Sequence, residues 1–165
     1  MKVIWLQNGR FTRMIKVLMT CHGNICRSTM AEFVFKDMVA KAGLEDNFYI
    51  ASAGTSTEEL GNPVHPGTRK KLAEHGISCA GKYAIQITKA DYNEYDYILG
   101  MDRWNIKNMH RIFGGDPEGK VKLLLEYVGE HGDIADPWYT GDFEATYRDV
   151  VRGCRALLEC ITAKE

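Results

Sequence analysis

Between Lys16 and Thr29 the sequence Lys-Val-Leu-Met-Thr-Cys-His-Gly-Asn-Ile-Cys-Arg-Ser-Thr changes character within a few residues. Residues 16–20 are rich in strand formers and apolar enough for a central strand. Gly23 and Asn24 follow, the residue types that most readily leave ordinary backbone space. After Ser28 and Thr29 comes Met-Ala-Glu-Phe-Val-Phe, which suits a helix. The stretch reads as strand, tight loop and helix N-terminus, opened by Cys21 and closed by Arg27 with five residues between.

A loop of that form suits phosphate. Packed against a helix start, it aims backbone N–H groups inward, and the helix dipole adds positive potential. Arg27 supplies a planar fork for two phosphate oxygens. The same field favours the anionic form of a thiol, and a thiolate beneath a bound phosphoryl group is placed for in-line attack. Ser28 is available to cap the helix or to donate to the sulfur. No Gly-Lys-Ser/Thr ends the loop, so it is not a Walker nucleotide loop.

At 165 residues the chain suits one domain with a sizeable core. A net charge of −1 argues for neither nucleic acid nor a membrane surface as partner, and no apolar run approaches the length of a bilayer span. Residues 1–13 hold Lys2, Arg10 and Arg13 without an apolar region of signal-peptide length, and read as an N-terminal extension of unknown role before a domain over 14–165. The five cysteines, 21, 26, 79, 154 and 160, are an odd number, which argues against a disulfide framework and for the cytoplasm. Cys21 and Cys26 are spaced too widely for a usual zinc half-site, and no metal or other cofactor is expected.

Further along, helices are expected over about 28–43, 68–75, 102–111 and 142–162, with Gly43 and Gly76 as stops and Asp102 as an N-cap. A short turn over about 88–93 is capped by Thr88. Strands are expected at 48–52, 95–100 and 121–127. Strands alternating with helices give an α/β fold: three layers, a four-stranded parallel sheet flanked by helices on both faces, with the phosphate loop after the first strand. Ligands of such sheets bind at the C-terminal strand ends, where the Cys21 loop lies.

Before the last helix lies Asp133-Ile134-Ala135-Asp136-Pro137-Trp138-Tyr139. Attack on a phosphate ester requires a proton for the leaving oxygen, and a carboxylic acid on a loop above the phosphate can give it. Pro137 stiffens that loop and keeps Asp136 extended. Trp138 and Tyr139 are aromatic and suit the walls of a slot for a flat ring.

Val-Leu-x-x-Cys-x-Gly-Asn-x-Cys-Arg-Ser resembles the signature of the low-molecular-weight protein tyrosine phosphatases, and the resemblance runs from about Met14 nearly to the C-terminus. It implies hydrolysis of protein phosphotyrosine through a phosphocysteine intermediate, with inorganic phosphate as product and a monomer or weak dimer as the enzyme. It implies catalytic roles for Cys21, Arg27 and the general acid Asp136. Residues His22, Gly23, Asn24, Ile25, Cys26 and Arg27 would bind phosphate through their backbone. Ser52 would hydrogen-bond Asn24, and Cys26 would trap oxidised Cys21, although a satisfied core hydroxyl and a packing thiol are equal readings. The pocket would be formed by His22, Glu58, Trp138 and Tyr139.

The sequence departs from the family pattern at three places. Thr29 stands where Pro is usual, Glu58 where a rim aromatic is frequent, and Lys82 where the family has a histidine. His65, His75, His110 and His131 are given no role, and Cys79, Cys154 and Cys160 read as packing. An arsenate reductase would need further cysteines after the third strand, where Leu99-Gly100-Met101-Asp102 has none. Protein arginine phosphatases carry Thr at the position of Ile25, so an aryl substrate is favoured over phosphoarginine. A phosphotyrosine-binding module without catalysis would have no need of both Cys21 and Asp136.

Overall fold

The computed structural model describes residues 6–7, 10–11 and 13–163. In chain order the elements are β1 (Leu6–Gln7), β2 (Arg10–Phe11), β3 (Ile15–Cys21), α1 (Arg27–Lys41), β4 (Phe48–Gly54), α2 (Pro66–Glu74), α3 (Asp91–Glu94), β5 (Tyr97–Gly100), α4 (Arg103–Phe113), β6 (Val121–Leu123), α5 (Pro137–Thr140) and α6 (Phe143–Thr162). β1 and β2 form a small antiparallel pair within the expected extension; residues 1–5, 8–9 and 12 of that extension lie outside the described residues. At its end the Arg13 fork donates to both carboxylate oxygens of Asp96, at 3.1 and 2.9 Å, and the Lys16 amide donates to the same group at 2.9 Å.

The main sheet has four parallel strands in the order β4-β3-β5-β6, so the strand that leads into the phosphate loop is central, as its composition implied. Side chains alternate along β3. Ile15, Val17 and Met19 pack with α1 and α6, through Val34, Phe35, Leu157 and Ile161. Leu18 faces the other way, into a cluster with Ile98, Met109, Phe113 and Val121 beneath α4. These are the expected three layers.

Some boundaries differ from the expectation. The fourth strand is only Val121–Leu123, and Leu124–Val128 is a 3-10 helix ended by Gly129 at φ 83°. Leu124 and Leu125 are both buried, which a strand cannot do on one face. They pack instead toward α6, where Gly153 permits the approach: a Cβ there would sit 2.5 Å from Leu124 Cγ. The short turn over 88–93 becomes the one-turn α3. Its start is held by the Asp91 carboxylate, which accepts from the Thr88 amide at 2.7 Å, and not by a Thr88 cap. The segment after Asp136, expected as loop, is α5. Asp136 caps it by accepting from Trp138 N, Pro137 fills its first turn, and Gly141 at φ 70° ends it. Among the described residues, no helix is long and apolar enough to cross a membrane.

Candidate active site

β3 delivers Cys21 to the C-terminal edge of the sheet, residues 22–26 turn, and α1 starts at Arg27. Asn24 is the only non-glycine residue at positive φ among the described residues, at 59°. Its side chain holds it there. Asn24 Nδ2 donates to Ser28 Oγ at 2.8 Å and Ser52 Oγ at 2.9 Å, while its Oδ1 accepts from Ile85 N at 3.0 Å. Gly23 does not take positive φ. A Cβ there would meet Glu59 Cγ at 3.1 Å, so the Glu59 side chain would have to give by a few tenths of an ångström. Gly54 lets the loop lie close to β4, since a Cβ there would come within 2.9 Å of the His22 carbonyl oxygen.

The sulfur of Cys21 is buried between two donors. Asn24 N donates to it at 3.3 Å, and Ser28 Oγ lies 3.0 Å away. Ser28 Oγ already accepts from Asn24, so its own hydrogen is free for the sulfur. The expected Ser28 role is therefore the sulfur contact. The helix N-cap position falls on Cys26, which makes no side-chain cap. Burial, then the neighbouring charges of Cys21 and Asp136, push the Cys26 thiol up to about 12. Cys26 thus stays protonated at neutral pH and does not compete as a nucleophile.

Arg27 is 3% exposed and held from two sides. Nη1 donates to Asp102 Oδ2 at 2.7 Å and to the Ile134 carbonyl at 3.0 Å, and Nη2 donates to Asp136 Oδ2 at 3.3 Å. Burial works against its charge, but the negative groups of Cys21, Asp136 and Asp102 outweigh this and hold the guanidinium above its ordinary value. Its Nε is buried without a partner among the described residues, a donor left for a ligand oxygen. Asp102 proves to have two roles. Oδ1 caps α4 by accepting from Asn105 N at 2.8 Å, and Oδ2 fixes Arg27.

Behind the loop, Ser52 Oγ donates to Glu32 Oε1 at 2.6 Å, completing the expected Asn24–Ser52 link with an acceptor that sequence reasoning had not singled out. Lys82 Nζ donates to the Ser52 carbonyl at 2.8 Å and stands 3.5 Å from Glu32, with Lys36 2.6 Å from the same carboxylate. Lys82 therefore supports the loop from beneath. Burial lowers its pKa, and Glu32 opposes that shift.

A cavity of about 100 Å³ opens above the sulfur. Cys21, His22, Gly23, Ile25, Cys26 and Arg27 line it from the loop, with Asp136, Trp138 and Tyr139 from the α5 segment and Glu58 and Glu59 from the connector after β4. Asn24 is behind the loop and does not line it. Tyr139 is 84% exposed and Trp138 56%, so they form a rim and not the walls of a closed slot. Glu58 contacts His22, Nε2 to Oε2 at 2.9 Å. Glu59 had not been singled out beside Glu58. His65, given no role from sequence, braces the site: its amide donates to the Ile25 carbonyl, its Nδ1 accepts from Gly67 N, and its ring lies against Phe143 and edge-on to Trp138. Among the described residues, no cluster of His, Cys, Asp and Glu is arranged to hold a metal.

A model of the low molecular weight phosphotyrosine protein phosphatase family matches residues 16–165. The low molecular weight protein-tyrosine-phosphatase YfkJ of Bacillus subtilis is 43% identical over 150 residues, covering 90% of this chain and 96% of its own length. The crystal structure of YfkJ matches with a TM-score of 0.88 at 42% identity, over 92% of this chain and 97% of that one. A low molecular weight phosphotyrosine protein phosphatase of Sus scrofa is 40% identical over 150 residues, covering 87% of this chain and 93% of its own length. The structure of a Drosophila arginine phosphatase matches at TM-score 0.79 and 31% identity, over 88% of this chain and 97% of that one. With its sheet, its signature loop and nearly its whole length matched, the chain belongs to the low molecular weight phosphotyrosine protein phosphatase family.

Proposed function

We propose that the chain hydrolyses phosphotyrosine in proteins through a phosphocysteine intermediate. One observation carries this: the buried Cys21 sulfur shares a single small cavity with the Arg27 guanidinium and the Asp136 carboxyl. The non-bridging phosphate oxygens take Arg27, with Nε as its unpartnered donor, and backbone N–H groups of residues 22–27 other than Asn24, whose amide donates to the sulfur. The sulfur attacks phosphorus, forming S–P as the bond to the tyrosine oxygen breaks, and protonated Asp136 gives its proton to that oxygen. Asp136 then takes a proton from water. The resulting hydroxide attacks phosphorus, S–P breaks, and inorganic phosphate leaves with the sulfur again an anion beside Ser28 and Asn24 N. Preorganised donors supply most of the stabilisation, and the positive charge comes from Arg27 and the amides.

Ile25 supports the aryl substrate. Its apolar side chain lines the cavity and offers a guanidinium no hydroxyl. Because an arginine phosphatase shares the scaffold, phosphotyrosine and phosphoarginine are compared side by side with a chelator present. Faster tyrosine turnover, lost in Cys21→Ser with phosphate binding retained, is expected. Faster phosphoarginine turnover overturns the assignment. Asp136→Ala slows the reaction about 100- to 10,000-fold, least for good leaving groups. We assign residues 14–165 to the phosphatase domain. Its five free cysteines support a reducing compartment and hence the cytoplasm.

A further inference from the structure

The cavity floor and its mouth carry opposite charge. Arg27 and the loop amides make the floor cationic, whereas Glu58 and Glu59 stand side by side at the mouth. Of the basic side chains lining the cavity, Arg27 is buried against Asp102 and Asp136, and the His22 imidazole contacts Glu58 at 2.9 Å. Glu59 makes no ion pair among the described residues; one of its oxygens accepts from Asn62 Nδ2 at 2.6 Å. The rim therefore has carboxylate charge in excess of what the chain itself neutralises.

The backbone carrying these carboxylates is tied to the phosphate loop. Ser56 N and Ser56 Oγ both donate to the His22 carbonyl, at 3.1 and 3.0 Å, and Ser56 Oγ accepts from Glu58 N at 3.4 Å. The Glu59 stem lies against the open face of Gly23. Just beyond Glu59, Leu60 is 57% exposed; Ile85 and Tyr83, also exposed, follow on the segment joined to residues 61–63 by backbone hydrogen bonds. This apolar surface beside two carboxylates fits the aliphatic stem and charged head of a lysine or arginine.

We propose that the substrates are phosphotyrosine segments with lysine or arginine beside the phosphotyrosine, read by Glu58 and Glu59, and that acidic flanks are rejected at the same rim. This rests on the phosphatase reading above. An exposed pair changes kcat/KM by about 2- to 5-fold, and repulsion of an acidic flank acts in the opposite sense. Basic and acidic peptides should therefore differ on the order of 10-fold. Salt screens the effect. A substrate cation must displace the His22 contact at Glu58 but meets only the Asn62 amide at Glu59, so Glu59 is the stronger reader.

The test uses three peptides of equal length around one phosphotyrosine, with basic, neutral and acidic flanks, and measures kcat/KM at low and high salt. The expected order is basic, neutral, acidic, with the spread collapsing at high salt. The basic-to-acidic ratio should fall toward one in the double variant Glu58→Gln/Glu59→Gln, and further in Glu59→Gln than in Glu58→Gln. A wild-type ratio near one at low salt overturns the proposal, as does a ratio that survives the double substitution. No turnover of any peptide by the wild-type chain overturns the phosphatase reading instead.

Discussion

Asn24 offers a test in which stability and catalysis are read from the same two substitutions. Asn24→Ala and Asn24→Gly both remove the three hydrogen bonds to Ser28, Ser52 and Ile85. At about 1 kcal/mol each, that loss is roughly 3 kcal/mol for either variant. Alanine must also adopt φ 59°, which adds about 1–2 kcal/mol. Glycine takes that φ freely, and its larger freedom in the unfolded chain costs only about 0.5–1 kcal/mol. The alanine variant should therefore be the less stable by about 1 kcal/mol, with both melting on the order of 10 °C below wild type. Urea unfolding gives the two stabilities, and hydrolysis of an aryl phosphate gives kcat. Activity should fall to a similar extent in both, because the Ser28 hydroxyl loses the same brace beside the sulfur. A glycine variant no more stable than the alanine one refutes the backbone argument. Wild-type stability in both refutes the network.

Two further substitutions separate roles that one side chain combines. Asp102→Asn keeps a good N-cap for α4 but removes the charge beside Arg27, so kcat/KM should fall about 10-fold through misorientation of the guanidinium. Asp102→Ala should be less stable than Asp102→Asn by a further ~1 kcal/mol, and equal unfolding free energies of the two would exclude the cap role. Lys82→Met removes a donor to the Ser52 carbonyl and leaves Lys36 as the one lysine beside Glu32, and should destabilise by about 1–3 kcal/mol at neutral pH. Burial lowers the Lys82 pKa below 10.5, so between the lowered value and 10.5 the unfolded chain binds more protons at this residue. Wild-type stability should therefore rise relative to Lys82→Met as pH increases through that window, and a falling difference in urea unfolding would refute the assignment.

What the sequence disclosed was local. The strand, loop and helix around Cys21 follow from neighbours in the chain, and Asn24 announced its left-handed turn by residue type. Asp136-Pro137 likewise announced a stiff, carboxylate-bearing segment, though not that the carboxylate caps a helical turn. The features that were not legible depend on partners far away. Asp102 looked like a cap alone because its second partner, Arg27, is 75 positions earlier. His65 had no visible role because its contacts to Ile25, Phe143 and Trp138 exist only in the folded chain. Leu124 and Leu125 were read as strand because nothing adjacent reveals that Gly153 leaves room for them.

The anchoring of Arg27 also sets when the site comes into being. One guanidinium joins the loop after the first core strand to groups 75, 107 and 109 positions further on. During synthesis Cys21 leaves the ribosome long before Asp136, the acid in the proposed mechanism. On that mechanism a nascent chain lacking the α5 segment has a thiol and a half-held arginine but no proton donor for the leaving oxygen. Competence to turn over substrate thus waits for the last quarter of the polypeptide, and an unfinished chain is not a premature phosphatase.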